Sequence, residues 1–145
     1  MDRTTLETIN KGKRNFLSFI IIIFLILGII IGMFTNYKEE TLVCNKNDNI
    51  CYVEKTNMLN SKNRKVIVAI SNIKYVSYIP KNVSGNMYAK GYTSYYLSFM
   101  NKQDENIKIF STEYYDKDQI KKVVTNLQTQ LKDKNAKIIR ITQKL

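Results

Sequence analysis

The sequence predicts an N-terminal membrane-spanning helix joined to a small α+β domain, an antiparallel sheet with one C-terminal amphipathic helix. Three observations predict it. Residues 16–34, FLSFIIIIFLILGIIIGMF, carry no charge and a single hydroxyl, Ser18. From residue 40 onward apolar and polar residues alternate with period two, the pattern of strands. Residues 116–134, DKDQIKKVVTNLQTQLKDK, then set Ile120, Val123, Val124, Leu127 and Leu131 along one helical face.

The apolar run comes first. As a helix it reaches roughly 28 Å, close to the hydrocarbon thickness of a bilayer. A buried core helix would need a polar face, and this run has none. The reading is an uncleaved signal-anchor helix over 15–35. A cleaved leader is the alternative, although the run exceeds the usual h-region and no A-x-A-like site follows it. A lipoprotein signal fits worse, because Cys44 lies ten residues past the run behind bulky Leu42 and Val43. Arg3, Lys11, Lys13 and Arg14 precede the span, whereas Lys38 is followed at once by Glu39 and Glu40. Cytoplasmic flanks carry the excess of Lys and Arg. That bias predicts a cytoplasmic tail over 1–14, a short tether over 36–40 and an extracytoplasmic domain over 41–145. Gly28 and Gly32 form GIIIG, the small-xxx-small spacing at which two transmembrane helices approach closely. A second copy or another membrane protein would meet the helix there, although glycine is common in such helices anyway.

The domain opens with ETLVCNKNDNICYVEK, which holds the only two cysteines. If Lys46-Asn47-Asp48-Asn49 closes a hairpin, as its Asn and Asp residues favour, Asn45 pairs with Ile50 and Cys44 faces Cys51. Facing residues in a non-hydrogen-bonded antiparallel pair lie about 4.5 Å apart at Cα, within disulfide reach. An outside compartment lets such a bond persist. Zinc is a poor rival, since it wants four ligands and the chain has no histidine. A catalytic thiol lacks its usual histidine base. Two unlinked cysteines would suit a cytoplasmic domain.

Strands are expected next at RKVIVAI (64–70) and NIKYVSYI (72–79), the second closed by Pro80, the only proline. KNVSGNMYAKG (81–91) reads as a long loop. YTSYYLSFM (92–100) and IKIFST (107–112) form a hairpin across the polar turn NKQDEN. Asp116 and Gln119 stand at capping-box spacing before the helix of 116–134. AKIIRITQKL (136–145) reads as an edge strand or extended tail.

Charge and composition narrow the function. Residues 36–145 hold 19 of the 23 basic and 10 of the 12 acidic residues. The lysines are scattered, without the basic stripe and interleaved aromatics of a nucleic-acid surface. Together with the abundant Ile and Asn, they match the usage of AT-rich genomes. Anionic lipid headgroups are the charged surface nearest such an anchor. No Gly-rich phosphate loop, nucleophile elbow or metal constellation stands out, so the expectation is no enzyme, no cofactor, no metal and no small-molecule substrate.

TLVCNKNDNICYVE, IVAISNIKYV, YYLSFMNKQDENIKIFSTEYY and the helix of 116–134 together resemble the small bacterial pleckstrin-homology-like (PH-like) domains. They are also similar to uncharacterised single-span bacterial membrane proteins with a Cys–turn–Cys hairpin after the anchor. The resemblance implies a partly open barrel with the helix plugging one end, set on the inner (cytoplasmic) membrane, and it transfers no activity. The expectation is a membrane-anchored, non-enzymatic binding or scaffolding protein of the bacterial cell envelope. Its partners would be the lipid bilayer and, through the helix, a copy of itself or another membrane protein. A cytoplasmic-facing domain that binds anionic headgroups is one alternative. A secreted protein freed of its leader is the other.

Overall fold

The structure, a computed structural model, describes residues 3–144, with side chains from Ser18 onward. Helix α1 runs Arg3–Thr35, and its Ser18–Thr35 stretch is long and apolar enough to cross a membrane. Large apolar side chains face outward along it, from Phe19 to Phe34. Strand β1 (Tyr37–Asn45) begins after one intervening residue, Asn36. The expected tether of 36–40 is therefore mostly strand, with Glu39, Glu40 and Thr41 already paired to β2.

Strands β2 (Ile50–Asn57), β3 (Lys62–Ala69) and β7 (Ile138–Lys144) complete an antiparallel sheet in the order β3-β2-β1-β7. The β1–β2 register sets Asn45 opposite Ile50 and Cys44 opposite Cys51, as the turn chemistry predicts. Asn49 closes the turn at φ 55°, and the Asn45 carboxamide oxygen accepts from the Asn47 amide at 3.0 Å. A 3₁₀ turn (Ile70–Asn72) then carries the chain into a second antiparallel sheet, β4 (Ile73–Val83), β5 (Tyr92–Asn101) and β6 (Asn106–Lys108). The two sheets do not close into a barrel. β3 is followed by a turn away from its own sheet, while β7 takes the free edge of β1.

Pro80 does not end its strand, contrary to the sequence reading. β4 is an edge strand, where a residue without an N–H is tolerated, and it continues past Pro80 opposite Tyr95 to Val83. The expected loop of 81–91 shrinks to 84–91. Its neck is pinched, because a Cβ on Gly85 would lie 2.6 Å from the Gly91 nitrogen and one on Gly91 2.8 Å from the Gly85 nitrogen. The tail of 136–145 supplies the edge strand β7.

Helix α2 (Lys117–Lys132) is capped by Asp116, whose carboxylate accepts from the Asp118 and Gln119 amides. At its other end the Lys46 ammonium donates to the carbonyls of Gln130 and Asp133, a cation set against the negative end of the helix. All five apolar residues of the stripe join the core. Ile120 and Leu127 are fully buried beside Phe99, Leu97 and Ile139, and Val123, Val124 and Leu131 pack around them. The helix thereby bridges the sheets, touching β4 and β5 on one side and β7 on the other.

Candidate functional site

Along β1, Glu40, Leu42 and Cys44 share the inward face, and all three are fully buried. Burying a carboxylate costs several kcal/mol unless donors replace its water. Glu40 has three: the Lys55 ammonium at 2.6 Å, the Ser111 amide at 2.6 Å and the Ser111 hydroxyl at 2.5 Å. Burial alone would push its pKa up, but these bonds from Lys55 and Ser111 outweigh it and hold the carboxyl below its usual range. The Ser111 contact explains why β6 is shorter than the expected strand of 107–112. After Ile109, whose amide still donates to the Leu97 carbonyl of β5 at 2.9 Å, the chain leaves the ladder, drives Phe110 into the core and presents Ser111 to Glu40, then rejoins β5 through the Tyr95–Tyr114 bridge.

Glu40 lies at one side of a cleft of about 480 Å³ between the two sheets. Val53, Ile67, Ile107, Ile109 and Phe110 supply apolar walls, and Lys55, Lys65 and Lys108 stand around them. A neighbouring cluster extends this polar rim. The Glu113 carboxylate accepts from Lys81 at 2.6 Å and from the Tyr96 hydroxyl. Bonds from Lys81, Ser94 and Tyr96 pull its pKa down to about 2. The Lys108 ammonium rests 3.3 Å from the centre of the Tyr96 ring, and burial lowers its pKa. Three lysines over apolar walls, with one carboxylate already neutralised by Lys55, suit a ligand with an apolar body and an anionic group.

The sequence-selected residues lie elsewhere. Cys44 and Cys51 are joined in a disulfide, Cα–Cα 4.0 Å, buried in the core. Gly28 and Gly32 lie four apart on α1. A Cβ on Gly28 would meet nothing within 4 Å, and one on Gly32 would meet the Asn36 carboxamide at 3.9 Å. Arg3, Lys11, Lys13 and Arg14 belong to the first half of α1, and their side chains fall outside the described ones. Among the described residues, Gly28, Gly32, Cys44 and Cys51 do not line the cleft. Glu40 was read as a flanking charge, and the signal that would have found it is its phase. Two residues before Leu42 and four before Cys44, it must share their inward face once the strand starts at residue 37.

Comparison with protein-family models, curated proteins and solved structures returned no match to this chain. The fold and site define its class by themselves: one apolar N-terminal helix continuous with a disulfide-bonded, two-sheet α+β domain that carries a lysine-rimmed cleft.

Proposed function

We propose that the chain is a single-pass membrane protein of the bacterial cell envelope, a non-enzymatic binding or scaffolding module held outside the cytoplasmic membrane. One observation carries the reading: the apolar helix is tied to the domain at its last turn. The Asn57 carboxamide donates to the Phe34 carbonyl at 3.1 Å, and the Met58 amide to the Asn36 carbonyl at 3.3 Å. A leader destined for removal gains nothing from such bonds, whereas an anchor is fixed by them. The Cys44–Cys51 bond supports an oxidising compartment, and with it the N-inside orientation. The cleft is the binding element, its Glu40 corner only a few strand residues from the end of α1. Kinship with PH-like domains belongs to the same proposal. The strand meander and the covering helix support it, and β7 after the helix is an addition to that plan.

The test uses Asp48→Cys, at an exposed turn where the new thiol is free while the native pair is bonded. In intact spheroplasts a membrane-impermeant maleimide should label it, and the chain should stay in the carbonate-washed membrane pellet at full mass. Labelling only after lysis would replace this reading with the cytoplasmic-facing, headgroup-binding one. A mature mass lacking the first 35 or so residues would establish a secreted protein.

A further inference from the structure

Turns between strands are built from residues that tolerate water, and the β2–β3 turn, Asn57-Met58-Leu59-Asn60-Ser61, breaks that pattern at its tip. Met58 is 60% exposed and Leu59 46% exposed. Around them the backbone is held firmly. Asn57 is buried, and its carboxamide oxygen accepts from the amides of Leu59 at 3.0 Å and Ser61 at 2.8 Å. The Asn57 amide donates to the Ser61 carbonyl at 3.0 Å, and Asn60 adopts the left-handed conformation, φ 60°. A turn whose backbone amides from Asn57 to Ser61 are all bonded, with two apolar side chains turned outward, is suited to a medium poorer in hydrogen bonds than water.

Its location supplies that medium. The Met58 amide bonds to Asn36 and the Asn57 side chain to Phe34, so the turn sits level with the end of the apolar stretch Ser18–Thr35. That stretch is about 27 Å long as a helix, which places its end at the boundary between acyl chains and headgroups. Two cations flank the turn. The Lys38 ammonium reaches the Asn60 carboxamide oxygen at 2.5 Å, and Lys62, half exposed, pairs with Glu54. We propose that Met58 and Leu59 insert into the bilayer interface as a second membrane contact, with Lys38 and Lys62 beside the lipid phosphates. The domain is thereby held at two points and cannot swing about the end of its anchor. The inference rests on α1 spanning the membrane.

The experiment places one environment-sensitive fluorophore per protein on the full chain, at Leu59→Cys, Asp48→Cys or Phe24→Cys, in vesicles of phosphatidylcholine and phosphatidylglycerol in equal parts. Quenching is read with aqueous iodide and with lipids bearing a nitroxide near the headgroup or at the chain terminus. The expected result is loss of iodide quenching at 59, with quenching there by the shallow nitroxide. Position 24 should respond to the deep nitroxide, and position 48, at the far end of the hairpin, to iodide. Leu59 and Met58 are both exposed, so a label at Met58→Cys repeats the measurement if the first variant misfolds. A deep label at 24 with iodide access at 58 and 59 equal to that at 48 would overturn this inference and leave the anchor standing. Absence of nitroxide quenching at 24 would overturn the anchor, and the inference with it.

Discussion

Glu40→Gln isolates the buried charge at the side of the cleft, because the substitution keeps the shape and removes only the ionic character. The native carboxylate is fully buried and takes three donated bonds, two of them from Ser111. A hydrogen bond to a charged group contributes about 1.5–3 kcal/mol, and a buried donor left unpaired costs about 1–3 kcal/mol. The Lys55 side chain is 36% exposed and recovers much of its hydration, which discounts its share. A carboxamide can still accept one Ser111 bond but turns an NH₂ toward the other donors. The expected loss is about 2–3 kcal/mol in urea unfolding at pH 7, with an unchanged m-value. Ser111→Ala alone, which removes one bond to the charged group and leaves the amide bond, should cost about 1.5–2 kcal/mol. The double variant should reveal a coupling of about 1 kcal/mol between the two positions, since they share bonds. The acid limb carries a second signature. A carboxyl whose folded pKa is depressed contributes stability above its unfolded value near 4.3, and loses it as pH falls. Glu40→Gln should flatten that limb. A loss under about 0.5 kcal/mol with an unaltered acid limb would refute the claim that Glu40 is a buried, charged acceptor.

Three further outcomes follow from other parts of the fold. Reducing Cys44–Cys51, which closes a short loop of sequence separation 7, should cost about 2.5 kcal/mol and lower the Tm by roughly 10–15 °C, checked by circular dichroism with both thiols counted. At alkaline pH the buried Tyr114 phenol, pushed up to about 12 by desolvation, keeps its stabilising role below pH 10 and loses it between about pH 10 and 12. Unfolding should therefore coincide with a late tyrosinate absorbance step that Tyr114→Phe removes. Gly85→Ala forces backbone apart at the neck of the 84–91 loop, and should cost about 1–3 kcal/mol, visible as faster amide exchange at Asn86 and Ala89.

Where local chemistry decides structure, the sequence was readable. The Asn/Asp turn fixed the register that faces Cys44 with Cys51, and Asp116 marked the start of α2, where its carboxylate accepts from the Asp118 and Gln119 amides. The period of Ile120, Val123, Val124, Leu127 and Leu131 identified the buried face correctly. Errors arose where partners far along the chain override local preference. Pro80 stays in β4 because only one edge of that strand is paired. IKIFST is cut short because Ser111 serves Glu40, 71 residues away. The cleft itself was illegible, since Glu40, Lys55, Lys65, Lys108 and Ser111 come from four separate segments that no spacing rule connects. Only the inward phase of Glu40 offered a clue.

Asn36 is the sole residue between α1 and β1, and that joint is bonded to the end of β2 at Asn57 and to Met58 in the turn that follows. Helix register therefore fixes azimuth: the compass bearing of the cleft about the α1 axis is locked to the side chains of α1. Any partner that seats itself on the Gly28–Gly32 line also selects which wall of the domain it sees. One alanine inserted after Thr35 would turn the domain by about 100° and lift it about 1.5 Å, whereas four would return it to within about 40°. An assembly that reads the bearing should be lost with the first insertion and largely regained with the fourth, a periodicity that cross-linking between domains would reveal.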